Sequence, residues 1–490
     1  MSTHHDLYID GHWIEGSGPR LEVLNPATEE VIATLSEGSV DQCRNAIAAA
    51  RSAFDEGPWP KLTPKQRSRM LQRFHEVMEK RRDDLMKLAF TEIGCTHAIA
   101  EGAQVGPAID QMGYWVDRAA TIESVEPLPP MTTSIGTLGQ GAILKEPAGV
   151  VAAITPYNFP ILLAIWKLGP ALAAANTVVL KPSPFTPLSA LILAEIAEES
   201  ELPPGVFNVI TGGIEIGRTL TTDPRVDIVT FTGSDKVGRE VMGQAATGLK
   251  KVVLELGGKS ANVVLDDADL DDPMFVPSAL GGFITHAGQA CAATTRILVH
   301  RSLHDEVAER LKTALPFVKL GDPSDPEVAM GPLIRDEARR RVERYVNLGL
   351  EEGAKILYGG ARPRDLPKGY FFEPTLFVDV QNGMRIAQDE IFGPVGVMIP
   401  FDSDEEAVRL ANDSRYGLGG AVWSRNALRA YSVAKQMRTG FITINGGHGG
   451  MSPIPYAPFG GYKQSGLGRE CGDLGLDEYR QVKTIAWPVG

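Results

Sequence analysis

Two spacings of apolar residues divide this chain. Over 39–57 (SVDQCRNAIAAARSAFDEG) and 63–94 (TPKQRSRMLQRFHEVMEKRRDDLMKLAFTEIG) they recur every three or four positions, which predicts amphipathic helices. Thr63 followed by Pro64 reads as an N-cap and first helical residue. Ahead of them, LYIDGHWI and EVLNP read as short strands. From 150 onward the pattern changes to short, mainly apolar runs: VVAAI (150–154), NTVVL (176–180), GVFNVI (205–210), DIVTF (227–231) and KVVLEL (251–256). Helical stretches such as ILLAIWKLGPALAAA and LSALILAEIAEES separate them. Strands buried on both faces and joined by helical crossovers predict an α/β fold with a parallel sheet. Ligands of such sheets sit outside the carboxyl ends of the strands. A second series (ANVVL, TRILVH, VGVMIPF, GGAVWS, FITIN) begins near 261 and predicts a second α/β domain. The stretch after 445 is rich in Gly and Pro and predicts loop.

Composition narrows the function without changing this picture. The 490 residues allow two or three domains, and 43% apolar with 22% charged residues is an ordinary globular balance. A net charge of −13 repels phosphate backbones and anionic bilayers, so neither nucleic acid nor membrane is expected as a partner. The most apolar region, 148–180, is interrupted by Pro156, Asn158, Pro160, Lys167, Pro170 and Asn176, unlike a membrane span. The opening MSTHHDLYIDGHWIEG has no basic start followed by an apolar run, and a cytoplasmic protein is expected. Four scattered cysteines predict reduced thiols. Nine histidines without H-E-x-x-H or a Cys/His cluster predict no dedicated metal site.

Five stretches could carry chemistry. Cys291 lies in GGFITHAGQACAATTR, among glycines and alanines that leave room at its sulfur. A lone cysteine is more often a small buried hydrophobe, and a nucleophilic one needs help to reach the thiolate. Glu255 ends an apolar strand in LELGGKS; it reads as a general base or as a capping carboxylate. Asn158, in TPYNFP just past another strand, offers an amide donor to an oxyanion, or simply turn geometry. TGGIEIG (211–217) and FTGSDKVG (231–238) each join a strand to a helix through glycine, as phosphate-binding turns do, although G-x-G-x-x-G is absent.

Together these stretches resemble the aldehyde dehydrogenase superfamily almost end to end. The matching signatures are NPATEEVIA, PYNFP, KPSPFTPL, FTGSDKVG, LELGGKS, GQAC, EIFGPV and PFGGYKQSGLGRE, in the family's order. The resemblance implies that Cys291 attacks an aldehyde, that Asn158 and the Cys291 N–H form the oxyanion hole, and that Glu255 activates the water that hydrolyses the thioester. It places Lys167 and Glu470 near the reacting centre. Glu390 and Phe392 match the positions holding the nicotinamide ribose and ring, and Lys181 and Ser183 the adenosine ribose. Phe231, Gly233 and Ser234 line the pyrophosphate path, and Thr155, Pro156, Tyr157, Gly213, Thr232, Leu256 and Gly257 complete the cofactor set.

Many NAD-preferring relatives carry a glutamate where this chain has Pro184, so NAD use with NADP tolerated is expected. The implied architecture is two parallel-sheet α/β domains plus a small oligomerisation element. The Rossmann-like cofactor domain takes 1–118 and 143–256, and the catalytic domain 257–445. The oligomerisation element combines 119–142 with 470–490, whose alternating tail suits a strand added to a neighbour's sheet in a homodimer or homotetramer. Residues 446–469 form a loop near the active site. Phe159, Leu163, Trp166, His448, Met451 and Tyr456 are expected to line the substrate entry. They predict a hydrophobic aliphatic, terpenoid or aromatic aldehyde. A CoA-acylating relative and a thiol hydrolase without redox chemistry are the enzymatic alternatives, and a silent scaffold the non-enzymatic one. Glu255 argues against the first and the cofactor motifs against the second.

Overall fold

The computed structural model describes residues 6–446, 454 and 456–489. Among them four sheets carry the chain, of eight, seven, three and two strands. The centre of the largest runs, in space, Lys251–Glu255, Ile228–Thr232, Val150–Ile154, Thr177–Lys181 and Phe207–Val209, all parallel. Strand order reverses at Val150–Ile154: its sequence successors lie to one side, and the pair 228–232 and 251–255 to the other. The loops leaving Val150–Ile154 and Ile228–Thr232 therefore diverge and open a crevice at the carboxyl edge. Antiparallel edges extend the sheet, with Leu7–Ile9 and His12–Ile14 at one end and Gly466–Leu467 at the other. The last pairing carries 459–470 to the end of Lys251–Glu255.

The second sheet runs Lys355–Tyr358, Thr375–Val378, Val395–Phe401, Arg296–His300, Ala261–Val264, Gly419–Trp423 and Phe441–Ile444. It is parallel except for the first pair. Five of these strands follow the predicted series; Lys355–Tyr358 and Thr375–Val378 are additional. The third sheet joins Val125–Thr132 and Leu138–Pro147 to the tail, Arg480–Val489. The tail, expected to join a neighbour's sheet, pairs along its full length with Leu138–Pro147 of its own chain, from Arg480↔Pro147 to Val489↔Leu138. Gly106–Thr121 is a helix packed into the core of the first sheet.

The early helices begin where their caps dictate. Ser39 with Gln42 and Thr63 with Gln66 form reciprocal capping boxes, each worth about 1 kcal/mol. The helix predicted through 94 instead breaks at Arg81, giving Pro64–Lys80 and Arg82–Leu88, and ends in a π turn, Ala89–Ile93. At the break, where Arg81 leaves helical angles (φ −95°, ψ 11°), its side chain pairs with Asp84, Glu195 and Glu199. No helix among the described residues is long and apolar enough to cross a membrane.

Candidate active site

Asn158 and Cys291 meet across the two α/β units. Asn158 leaves the strand Val150–Ile154 through the rigid Pro156–Pro160 turn, and its Nδ2 donates to the Gln289 carbonyl at 2.9 Å. Gln104 fixes the turn from behind: its Oε1 accepts from Leu162 N at 2.9 Å, and its Nε2 donates to the Asn158 carbonyl at 3.5 Å. Cys291 stands between the helix Phe275–Ile284 and the strand Arg296–His300. The chain reaches it through three consecutive left-handed residues, His286 (φ 51°), Ala287 (φ 53°) and Gly288 (φ 72°). A Cβ on Gly288 would stand 2.0 Å from the Gly393 carbonyl oxygen. The small residues before the cysteine thus permit a close backbone crossing as well as leaving space at the sulfur.

Glu255 is the last residue of its strand and 1% exposed. Burial raises its carboxyl to about 8, and the neighbouring Glu470 pushes the same way while Lys167 opposes. The Cys291 thiol faces it closely enough for each to perturb the other, yet neither Glu255 oxygen gains a well-formed hydrogen bond. Crowding by protein atoms, then the Glu255 charge, pushes the thiol well above 9, although Cys291 keeps a window to the cleft. At neutral pH both groups are mostly protonated. A buried carboxyl that makes no hydrogen bond within the protein is free to exchange a proton with a group entering the cleft.

Lys167 and Glu470 form a fully buried ion pair, and Lys167 Nζ also donates to Thr232 Oγ1 at 2.7 Å. Thr232 is the cross-strand partner of Glu255, so this polar cluster lies directly behind the carboxyl. Cys291 and Trp166 both pack against an apolar cluster of Ala292, Leu418 and Phe459.

Eleven expected positions line one cleft: Pro156, Tyr157, Asn158, Thr232, Gly233, Ser234, Glu255, Gly257, Cys291, Glu390 and Phe392. Glu390 accepts from Gly258 N at 3.2 Å and is raised to about 7, by burial first, against that bond and the charge of Arg341. A Cβ on Gly257 would fall 2.3 Å from Glu390 Oε2, so a larger residue here would displace that carboxylate. Phe392, at φ 57°, meets Tyr157 edge-on at 5.9 Å. Phe231 and Leu256 point into the core beneath. Thr155 N donates to the Lys181 carbonyl at 3.1 Å, linking the cleft to the next strand end. There Lys181 is 6% exposed, its Nζ donates to the Pro182 carbonyl at 3.0 Å, and burial lowers it to about 8. Ser183 follows in the same turn, and Gly213 starts the helix Ile214–Thr222 alongside.

Of the expected substrate residues, Phe159 meets His286 at 5.3 Å, Trp166 meets Phe459 at 5.1 Å, and Tyr456 stacks on Tyr114 at 4.4 Å. Leu163 is buried in the helical core. His448 and Met451 lie outside the described residues. The sequence reading missed Arg341, which lines the cleft and donates to the Glu390 carbonyl. Its run DEARRRVERYV reads as a solvated helix face. Gln104, Tyr114 and Phe459 were missed as well; only Phe459, in PFGGYKQSGLGRE, lay in a stretch already singled out.

A sequence model of the aldehyde dehydrogenase family matches residues 13–485. A betaine aldehyde dehydrogenase of Bacillus subtilis is 40% identical over 488 residues, 98% of this chain and 96% of its own length. The crystal structure of a betaine aldehyde dehydrogenase from Staphylococcus aureus in complex with NAD+ has a TM-score of 0.94 at 38% identity, covering 99% of this chain and 95% of that one. A cysteine-to-alanine variant of aldehyde dehydrogenase C from Pseudomonas syringae, complexed with NAD+ and octanal, has a TM-score of 0.92 at 38% identity, covering 98% and 96%. At this identity and coverage the likeness is one of descent as well as fold, and the chain belongs to the aldehyde dehydrogenase family.

Proposed function

We propose that the protein oxidises an apolar aldehyde to its carboxylic acid, with Cys291 as nucleophile and Glu255 as base. The observation that carries this reading is the meeting of the Cys291 thiol, the Glu255 carboxyl and the Asn158 amide in one cleft at the carboxyl edge of a parallel sheet. Ionised Glu255 takes the Sγ proton as sulfur bonds to the aldehyde carbon. The carbonyl electron pair moves to oxygen, where the second Asn158 Nδ2–H and the Cys291 N–H receive it. NAD, when bound, supplies the acceptor for the hydride that leaves this carbon as the carbonyl re-forms. Glu255 releases its proton to solvent and takes another from water, whose oxygen adds to the Cys291 thioester. Collapse expels sulfur, which recovers the proton from Glu255, and the acid leaves.

The groove suits a dinucleotide. Ser234 caps the helix Asp235–Ala246 at its edge, Gly257 leaves space against Glu390, and Lys181 offers a buried ammonium bound, among the described residues, only to a carbonyl. Trp166 and Phe459 beside Cys291 favour an apolar aldehyde, and octanal in the Pseudomonas syringae relative is in keeping with that choice. We also assign the three-stranded sheet, whose tail strand is exposed over most of its length, to oligomer formation. Reduced-nicotinamide formation across a panel of aldehydes, with Cys291→Ala as control, tests the reading. Turnover of octanal without CoA supports it; turnover only with CoA, or of charged semialdehydes in preference to octanal, contradicts it.

A further inference from the structure

The ribose turn that follows Lys181 holds no acid: Ser183, Pro184 and Phe185 come next. Alone, Lys181 and the adjacent helix amino end at Gly213 would welcome a phosphate as readily as a hydroxyl pair. The structure brings a carboxylate to this place from a distant segment. Glu37 Oε2 lies 3.9 Å from where a Cβ on Gly213 would stand. One helical turn on, a Cβ on Gly217 would stand 3.9 Å from Lys181 Cδ and Cε. Glu37 and Lys181 thus flank the first turn of the same helix, Ile214–Thr222, which has no side-chain cap.

The placement of Glu37 is built. Its N–H donates to the Pro19 carbonyl at 2.8 Å, its carbonyl accepts from Gly18 N at 2.7 Å, and Gly38 N donates to the Thr211 carbonyl at 3.0 Å. Its carboxylate has no hydrogen bond or ion pair among the described residues. Its charge reaches Lys181, where it favours the ammonium against burial.

We propose that Glu37 sets the cofactor choice of this enzyme: its carboxylate accepts from the adenosine ribose hydroxyls and repels a 2′-phosphate, so NAD is used and NADP rejected despite Pro184. This rests on the function proposed above and reverses the NADP tolerance that Pro184 alone predicts. A carboxylate accepts from a diol at full strength and meets a phosphate dianion as a like charge, so one group supplies both attraction and exclusion.

The test compares kcat/KM for NAD and NADP in the full-length protein with octanal, and fluorescence titrations of NADH and NADPH without aldehyde. The wild-type protein should prefer NAD by about thirtyfold or more. The isosteric E37Q should reduce that ratio by about tenfold or more, NADP gaining and NAD losing, with the NADH and NADPH titrations moving likewise. Asp41→Asn removes the same charge from the surface helix nearby and should leave the ratio within about twofold. Wild-type use of both cofactors within a few-fold, an unchanged ratio in E37Q, or an equal shift in Asp41→Asn would overturn the proposal. Failure of either cofactor to support turnover would instead count against the dehydrogenase reading, and the titrations would still decide the role of Glu37.

Discussion

Lys181 and Glu255 end two parallel strands of the same sheet, and burial drives them toward the same pKa from opposite sides. The lysine falls to about 8 and the glutamate rises to about 8. Loss of water penalises either sign of charge, so what the neighbours add decides the outcome. Around Lys181, Glu37 and Cys43 favour the charged form. Around Glu255, Glu470 adds to the penalty and Lys167 resists it. At pH 7 the lysine is mostly charged and the glutamate mostly neutral. The first strand end is thereby suited to hold an electron-rich ligand, the second to trade protons.

The comparison breaks most completely if binding and chemistry cannot be separated. Cys291→Ala should lower kcat about a thousandfold or more while an NADH titration stays within about twofold of wild type. A parallel loss of binding would mean that the two ends act as one. Asn158→Ala removes the proposed oxyanion donor and the tie to the Gln289 carbonyl, and should lower kcat about a hundredfold with KM for NAD little changed. At the binding end the signature inverts. Lys181→Met should raise KM for NAD about tenfold and leave kcat within about twofold, as steady-state kinetics would read. In the wild type, KM for NAD should rise as pH climbs through about 8, because Lys181 then loses its proton. The smallest effect sharpens the electrostatic account. Glu470→Gln removes a negative neighbour of Glu255 and should lower the midpoint of the kcat profile by about one pH unit, without moving the KM limb.

How much of this was legible depended on how local the cause was. Val150–Ile154 and Val395–Phe401 fall where their apolar runs predicted, because strands buried on both faces need no partner pattern to be seen. Glu255 stood out as a carboxylate closing such a strand, and Cys291 as a thiol without bulk beside it. Arg341 and Gln104 did not stand out: a polar residue in an amphipathic helix looks solvated until tertiary structure turns it inward. Glu37 was invisible for a related reason, since its neighbours at Lys181 and Gly213 are assembled only by folding. At the break at Arg81 the side chain meets acids of the distant helix Leu188–Glu199, a tertiary contact that helical periodicity cannot register.

In the function proposed above Glu255 is the base, held mostly neutral at pH 7 by its burial. The most direct test is the pH dependence of kcat between about pH 6 and about pH 9.5, with saturating octanal and NAD and no CoA, for wild type and E255Q. Wild-type kcat should rise with pH to a plateau, with a midpoint near 8, as Glu255 ionises. E255Q should be slower by about a hundredfold or more and lack that limb. A glutamine variant that keeps the rate, or keeps the inflection near 8, would contradict the account.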